Sequence, residues 1–234
     1  MDSELDAVAR YGLAIGFSVR NRTVLVEGTT DADLFRFAAR LEFEFSGISL
    51  LGTDLAVVAA GSGNCGGTRG VIRELLALRA MARICLLPNG RPRYRIVGLF
   101  DNDRAGKQAV REIHELDTSV LEYKDVFRLW PIMPMSQNLD PRALQGIFER
   151  ENVFTIGLDW ELEDALSGEF VDAFLLEHPE ALVRSKTIQN RIHRDLTADG
   201  KARLHQFIRR NAMYADLVGV CAILKALRLY LGLK

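Results

Sequence analysis

The chain has 234 residues, 48% hydrophobic and 26% charged, with a formal net charge of −1. This composition excludes a disulfide-rich mini-protein, a low-complexity chain and a highly charged disordered one, and it allows one large domain or a domain with an appendage. Charge is unevenly spread. Residues 151–180 hold nine acids and no Lys or Arg, whereas residues 184–234 hold eleven Lys or Arg against three acids. A basic carboxy-terminal segment suits contact with phosphates, and solvated helix faces give such counts too.

Cys65, Cys85 and Cys221 are isolated, without CxxC or Cys/His ligand spacing, so neither disulfides nor structural zinc are expected. The first residues, MDSELDAVARYG, contain no apolar core of signal-peptide length. Residues 217–224 are apolar, but Asp216, Lys225 and Arg228 bound them too tightly for a membrane span. A cytoplasmic protein with no membrane partner is expected.

Residues 3–11 are expected to form a short helix. Residues 23–26 (TVLV) form a β-branched run that ends at Glu27 and Gly28. Thr30 then suits a helix N-cap, with Asp33 three residues on, for a helix through Arg40 whose buried stripe is Leu34, Phe35, Phe37, Ala38 and Leu41. Residues 55–60 (LAVVAA) read as another strand, running into the glycine-rich stretch 61–70. That stretch lacks GxxxxGK[ST] and reads as a strand-to-helix connection, with Arg69 available to a nucleic-acid backbone.

Residues 71–82 have helical periodicity, and proline and glycine at 88, 90 and 92 mark a turn. The stretch YRIVGLFDNDRAG (94–106) follows. Its apolar run of Ile96, Val97, Leu99 and Phe100 stops at Asp101 and Asp103. A helix over 104–116 and a fourth strand over 125–132 complete an alternation that predicts a doubly wound α/β domain with a mainly parallel sheet flanked by helices. Residues 141–180 and 187–231 read as mainly helical, with Gly232 as the C-terminal cap of an amphipathic helix over 216–231. The expected division is an α/β core over 1–135 and a helical extension over 136–234 that completes the site.

On an extended chain residues i and i+2 point the same way, so Asp101 and Asp103 converge beyond the carboxyl end of their strand, where open α/β sheets place ligands. Converging carboxylates repel unless a cation lies between them, and a hard divalent ion, Mg²⁺ or Mn²⁺, suits oxygen ligands. Glu27 ends another strand 74 positions earlier. Neighbouring strands would bring these three carboxylates to one sheet edge. Asp31 either joins them or caps the following helix. In WELEDALSG (160–168), Glu161, Glu163 and Asp164 are either solvated helix acids or, beside the sheet edge, holders of a second cation. Asp101–Glu112 partly matches a calcium loop, but Ala105 stands where an oxygen ligand is needed and a strand precedes it. The four histidines show no metal-ligand spacing, and no GxSxG is present.

The strings VLVEGTTDADLF (24–35) and IVGLFDNDRAGKQA (96–109) together resemble the TOPRIM domain of topoisomerases, DnaG-type primases, recombination proteins and OLD-family nucleases. The resemblance covers residues 22–132. It implies that Glu27, Asp101 and Asp103 bind Mg²⁺ for phosphodiester chemistry. The Glu27/Asp31 pair with the later ELED is similar to OLD-type nucleases, including those of anti-phage defence, in which a late acidic cluster completes a two-metal site and a downstream lysine stabilises the transition state. Glu161 and Glu163 would take the first role, and Lys201 in DGKAR, or Lys186, the second. OLD proteins also carry an ATPase domain, and this chain has no Walker motif. The resemblance therefore implies a separate ATPase partner. The expected protein is a Mg²⁺- or Mn²⁺-dependent nuclease acting on DNA or RNA, with a second copy of the chain (a homo-oligomer) among its candidate partners. The alternatives are a non-catalytic TOPRIM module binding nucleic acid or a partner, and primase-like nucleotidyl transfer.

Overall fold

A computed structural model describes residues 5–61 and 66–234. Strands β1 (Arg22–Val26), β2 (Leu55–Ala59), β3 (Arg95–Phe100) and β4 (Val126–Arg128) form a parallel sheet in the order β2-β1-β3-β4. The expected β-branched runs are buried along nearly their whole length because both faces of the sheet are covered. Leu25, Ile96 and Phe100 point into one core with Val8 of α1 (Ala7–Ala14), Val71 and Leu75 of α3 (Gly67–Ala82), and Ile113 of α4 (Arg104–Leu116). Val24, Val26, Val97 and Leu99 alternate with them and are buried on the opposite face. Gly98 permits the close packing of α3. A Cβ there would stand 2.9 Å from Val71 Cγ1 and 3.3 Å from Leu75 Cδ2. The protein is therefore α/β, with a four-stranded parallel sheet flanked by helices.

The strand order reverses between β1 and β3. The chain leaves β1 toward β2 on one side, crosses back to β3, and goes on to β4 on the other. Register pairs Arg22 with Arg95 through Leu25 with Gly98.

The chain divides into two compact units. The first comprises residues 1–32, 51–100 and 105–128; the second comprises 33–50, 101–104 and 129–234. Beside the expected break near residue 135, the second unit thus also takes most of α2 (Thr29–Ser46) and the DNDR segment. It contains α5 (Pro141–Glu151), α6 (Gly168–Glu177), a hairpin of β5 (Leu182–Ile188) and β6 (Arg191–Leu196), α7 (Ala198–Asn211) and α8 (Val218–Tyr230). Side chains cap its helices at Asp140, Ser167 and Thr197. Phe148 and Tyr230 lie 5.8 Å apart in its core, and the Tyr230 hydroxyl donates to the Pro134 carbonyl at 2.6 Å.

The hairpin corrects the helical reading of residues 187–196. Its turn is Gln189-Asn190, with Gln189 in the left-handed region at φ 55°. The stretch lacks the Asn-Gly or Asp-Gly signal of a tight turn, and its apolar residues are sparse. Helix α2 runs six residues past Arg40. Glu42, a buried charged residue that interrupts the apolar stripe in the sequence, lies on that extension. Strand β4 is only three residues long and ends at Arg128, short of the expected 125–132. Asp6 caps α1, accepting from the Ala9 N–H at 3.0 Å; Ser3 lies outside the described residues. Gly232 adopts φ 76° just past α8, as a C-terminal cap requires. Among the described residues, no helix is long and apolar enough to cross a membrane.

Candidate active site

Glu27 is the first residue after β1, and Asp101 is the first after β3. These strands flank the reversal point of the sheet, beyond whose carboxyl end open α/β sheets bind ligands. In the first unit the Glu27 main chain is clamped: its carbonyl accepts the Gly67 N–H at 3.0 Å. Gly67 has φ 67°, and a Cβ on Gly66 would stand 3.1 Å from that same carbonyl oxygen. The end of the glycine-rich stretch thus packs against the Glu27 main chain. Residues 62–65 of that stretch, Cys65 included, lie outside the described residues. Asp31 acts as a turn cap, one carboxylate oxygen accepting the Gly28 N–H at 2.8 Å.

In the second unit the DNDR segment is tied to the later acids. The N–H of buried Asn102 donates to the Trp160 carbonyl at 2.8 Å, next to Glu161. Residues Leu162–Ala165 form a 3₁₀ turn that carries Glu163, with Glu161 just before it. Helix α7 faces this turn. Lys201 and His205 are one helical turn apart and so share a face. Lys201 Nζ lies 2.7 Å from Glu161 Oε2, and His205 Nε2 lies 3.5 Å from Glu163 Oε1. Thr197 caps the helix at the Gly200 N–H, and Gly200 fits where a Cβ would crowd Ala181 and Thr197.

Burial alone would lower the Lys201 pKa, but Glu163, Glu161 and Asp101 outweigh it and hold the ammonium well above its ordinary value. Burial raises the Glu161 carboxyl, with Lys201 opposing. For Glu163 burial pushes up, yet His205 and Lys201 prevail and its pKa is lowered. Glu161 and Lys201 are therefore brought together, with Glu163 and Asp101 acting on the ammonium through their charge, whereas Lys186 is turned elsewhere, donating to the Gly157 carbonyl at 2.8 Å. Asp103 is half-buried two residues from Asp101.

The sequence reading missed the support beneath this cluster. The Asp164 carboxylate accepts the Glu161 N–H at 2.9 Å and the Arg194 N–H at 3.0 Å, and it lies 2.6 Å from His193 Nδ1. Its hydrogen bond to Asp164 raises the His193 pKa, against burial. Asp164 thus fastens the acidic turn to β6. No short spacing links residues 164 and 193; the i, i+4 pairing of Lys201 with His205 was the readable signal. The charge imbalance also finds a partner here, since Arg194 meets Asp172 at 2.6 Å and Arg203 meets Glu180 at 3.0 Å. Part of the basic segment is therefore spent on the acidic one.

Among the described residues, no three His, Cys, Asp or Glu side chains form a preassembled metal-holding group. What the place does hold is three carboxylates, those of Glu163, Glu161 and Asp101, acting on one partly buried ammonium, an oxygen-only set with an excess of negative charge. Comparisons with protein-family models, with curated proteins and with solved structures find no match.

Proposed function

We propose that this protein is a TOPRIM-type, Mg²⁺- or Mn²⁺-dependent nuclease hydrolysing phosphodiester bonds of DNA or RNA. The observation that carries the reading is the Lys201 ammonium beside Glu161, under the combined field of Glu161, Glu163 and Asp101. The order of the sheet supports it, because Glu27 and Asp101 each follow a strand at the reversal point. In this reading Asp101, Asp103, Glu161 and Glu163, with Glu27 and Asp31, are the oxygen donors for the metal. Bound divalent ions would lower the pKa of an attacking water and neutralise the leaving oxygen. Lys201 supplies a fixed cation among these donors and orients a phosphate oxygen. Asp164 and His193 hold the turn that presents Glu161 and Glu163.

Nothing covalent is asked of the protein; position and charge carry the chemistry. The motifs at 24–35 and 96–109 extend the proposal to a cytoplasmic role in antiviral defence with an ATPase on a separate chain. Incubating the protein with Mn²⁺ and end-labelled DNA and RNA tests the reading. Degradation abolished by a chelator is expected, and binding without turnover would replace the enzyme with a non-catalytic module.

A further inference from the structure

At the amino end of β3, away from the carboxylates, the first unit holds a concave feature. It is a pocket of about 180 Å³. Arg79, Arg83 and Arg95 line it together with Asp125, Tyr94 and Pro92. Two of the three arginines are already held. Arg79 meets Asp125 Oδ1 at 2.5 Å, while the other oxygen of Asp125 accepts the Leu121 N–H at 3.0 Å. Arg83 donates to Ser119 Oγ at 2.7 Å and stands 3.6 Å from Asp117.

Arg95 is different. It is half-buried, and among the described residues no hydrogen bond or ion pair reaches its guanidinium. Burial and the nearby Arg22 disfavour its charge, and only the field of Asp125, whose oxygens are engaged elsewhere, opposes them. A half-buried guanidinium with five donors and no acceptor is costly unless an anion completes it.

We propose that this pocket binds the phosphate monoester of a small ring-bearing molecule, a nucleoside 5′-monophosphate or a compound of the same shape. Guanidinium forks match phosphate oxygens two at a time, and three arginines lining one cavity favour a doubly charged head group over a single carboxylate. The Tyr94 ring is fixed by its hydroxyl, which donates to Asp6 at 2.8 Å, and Arg93 meets the same carboxylate at 3.0 Å. A rigid ring beside the arginines offers a stacking surface. The volume is below the roughly 300 Å³ at which drug-sized sites begin, so the cavity takes the phosphate head group and leaves the nucleoside at its mouth, beside Tyr94.

Calorimetric titration in EDTA, where no metal-dependent reaction proceeds, tests the site separately from the nuclease reading. The probes are adenosine 5′-monophosphate, inorganic phosphate and adenosine. Saturable binding is expected for the nucleotide, weaker binding for phosphate and none for adenosine. Arg95→Gln should weaken the nucleotide by about tenfold or more, and exposed Arg83→Gln, which keeps the interior intact, by about threefold. Asp101→Asn should bind as the wild type does. Absence of nucleotide binding up to about 10 mM, or unchanged affinity in both arginine variants, would overturn the proposal. So would equal competition by an oligonucleotide lacking a terminal phosphate.

Discussion

Lys201 Nζ lies 2.7 Å from Glu161 Oε2, at the start of a helix whose next turn sets His205 against Glu163. Two basic groups on one helical face answer two acidic groups on one short turn. Removing the ammonium leaves the carboxylates unbalanced. Lys201→Met is expected to cost about 2 kcal/mol in metal-free protein, less than the loss of a fully buried pair because Lys201 is a third exposed. Thermal unfolding with and without Mg²⁺ checks this, and the ion should stabilise the variant more than the wild type. Equal response of the two proteins would show that the carboxylates do not share a cation.

The Asp164–His193 contact has a pH signature. Its pKa is raised in the folded protein, so His193 holds its proton more tightly folded than unfolded. The stabilisation is then complete below the ordinary histidine value and disappears as pH rises through the raised one. The advantage of wild type over His193→Gln in urea unfolding should be largest near about pH 5.5 and shrink toward about pH 9. A difference independent of pH would mean that the imidazole acts by packing alone.

How much of this was legible beforehand follows from particular residues. The strands announced themselves because runs such as IVGLF are buried on both faces and interrupted by no charge. The DxD and the ELED turn stood out as acids at element ends. What stayed hidden depended on long-range pairing. Glu42 reads as a solvated acid, yet it is buried against Lys225, Tyr214 and Ser46. Asp164 meets His193 and the Arg194 N–H about thirty residues on, in a hairpin whose turn carries no Gly.

Glu42 gives a third expectation. Burial pushes its pKa up, but Lys225 at 2.9 Å and the hydroxyls of Ser46 and Tyr214 bring it below the ordinary value. Lys225→Met leaves that buried carboxylate with hydroxyl donors only, and about 2 kcal/mol of stability should be lost at neutral pH. Because a lowered carboxyl stabilises above its unfolded value, the loss should narrow as pH falls through the folded one. Chemical denaturation across pH reads both effects.

Gly219, at the start of α8, is fixed by shape rather than charge. A Cβ there would collide with the Ala165 carbonyl oxygen, backbone that cannot rotate away. Gly219→Ala is expected to destabilise by about 2–3 kcal/mol, read as a lowered melting temperature. It should also perturb the neighbouring acidic turn, visible as weaker Mn²⁺ binding. Full stability in this variant would mean that the close approach is relaxed in solution.

Cleavage of labelled DNA and RNA in Mn²⁺ by the wild type and by Glu27→Ala bears most directly on the proposed chemistry. Loss of at least about a hundredfold in rate, with the variant still folded, is the expected result. Undiminished metal-dependent cleavage by Glu27→Ala would contradict it.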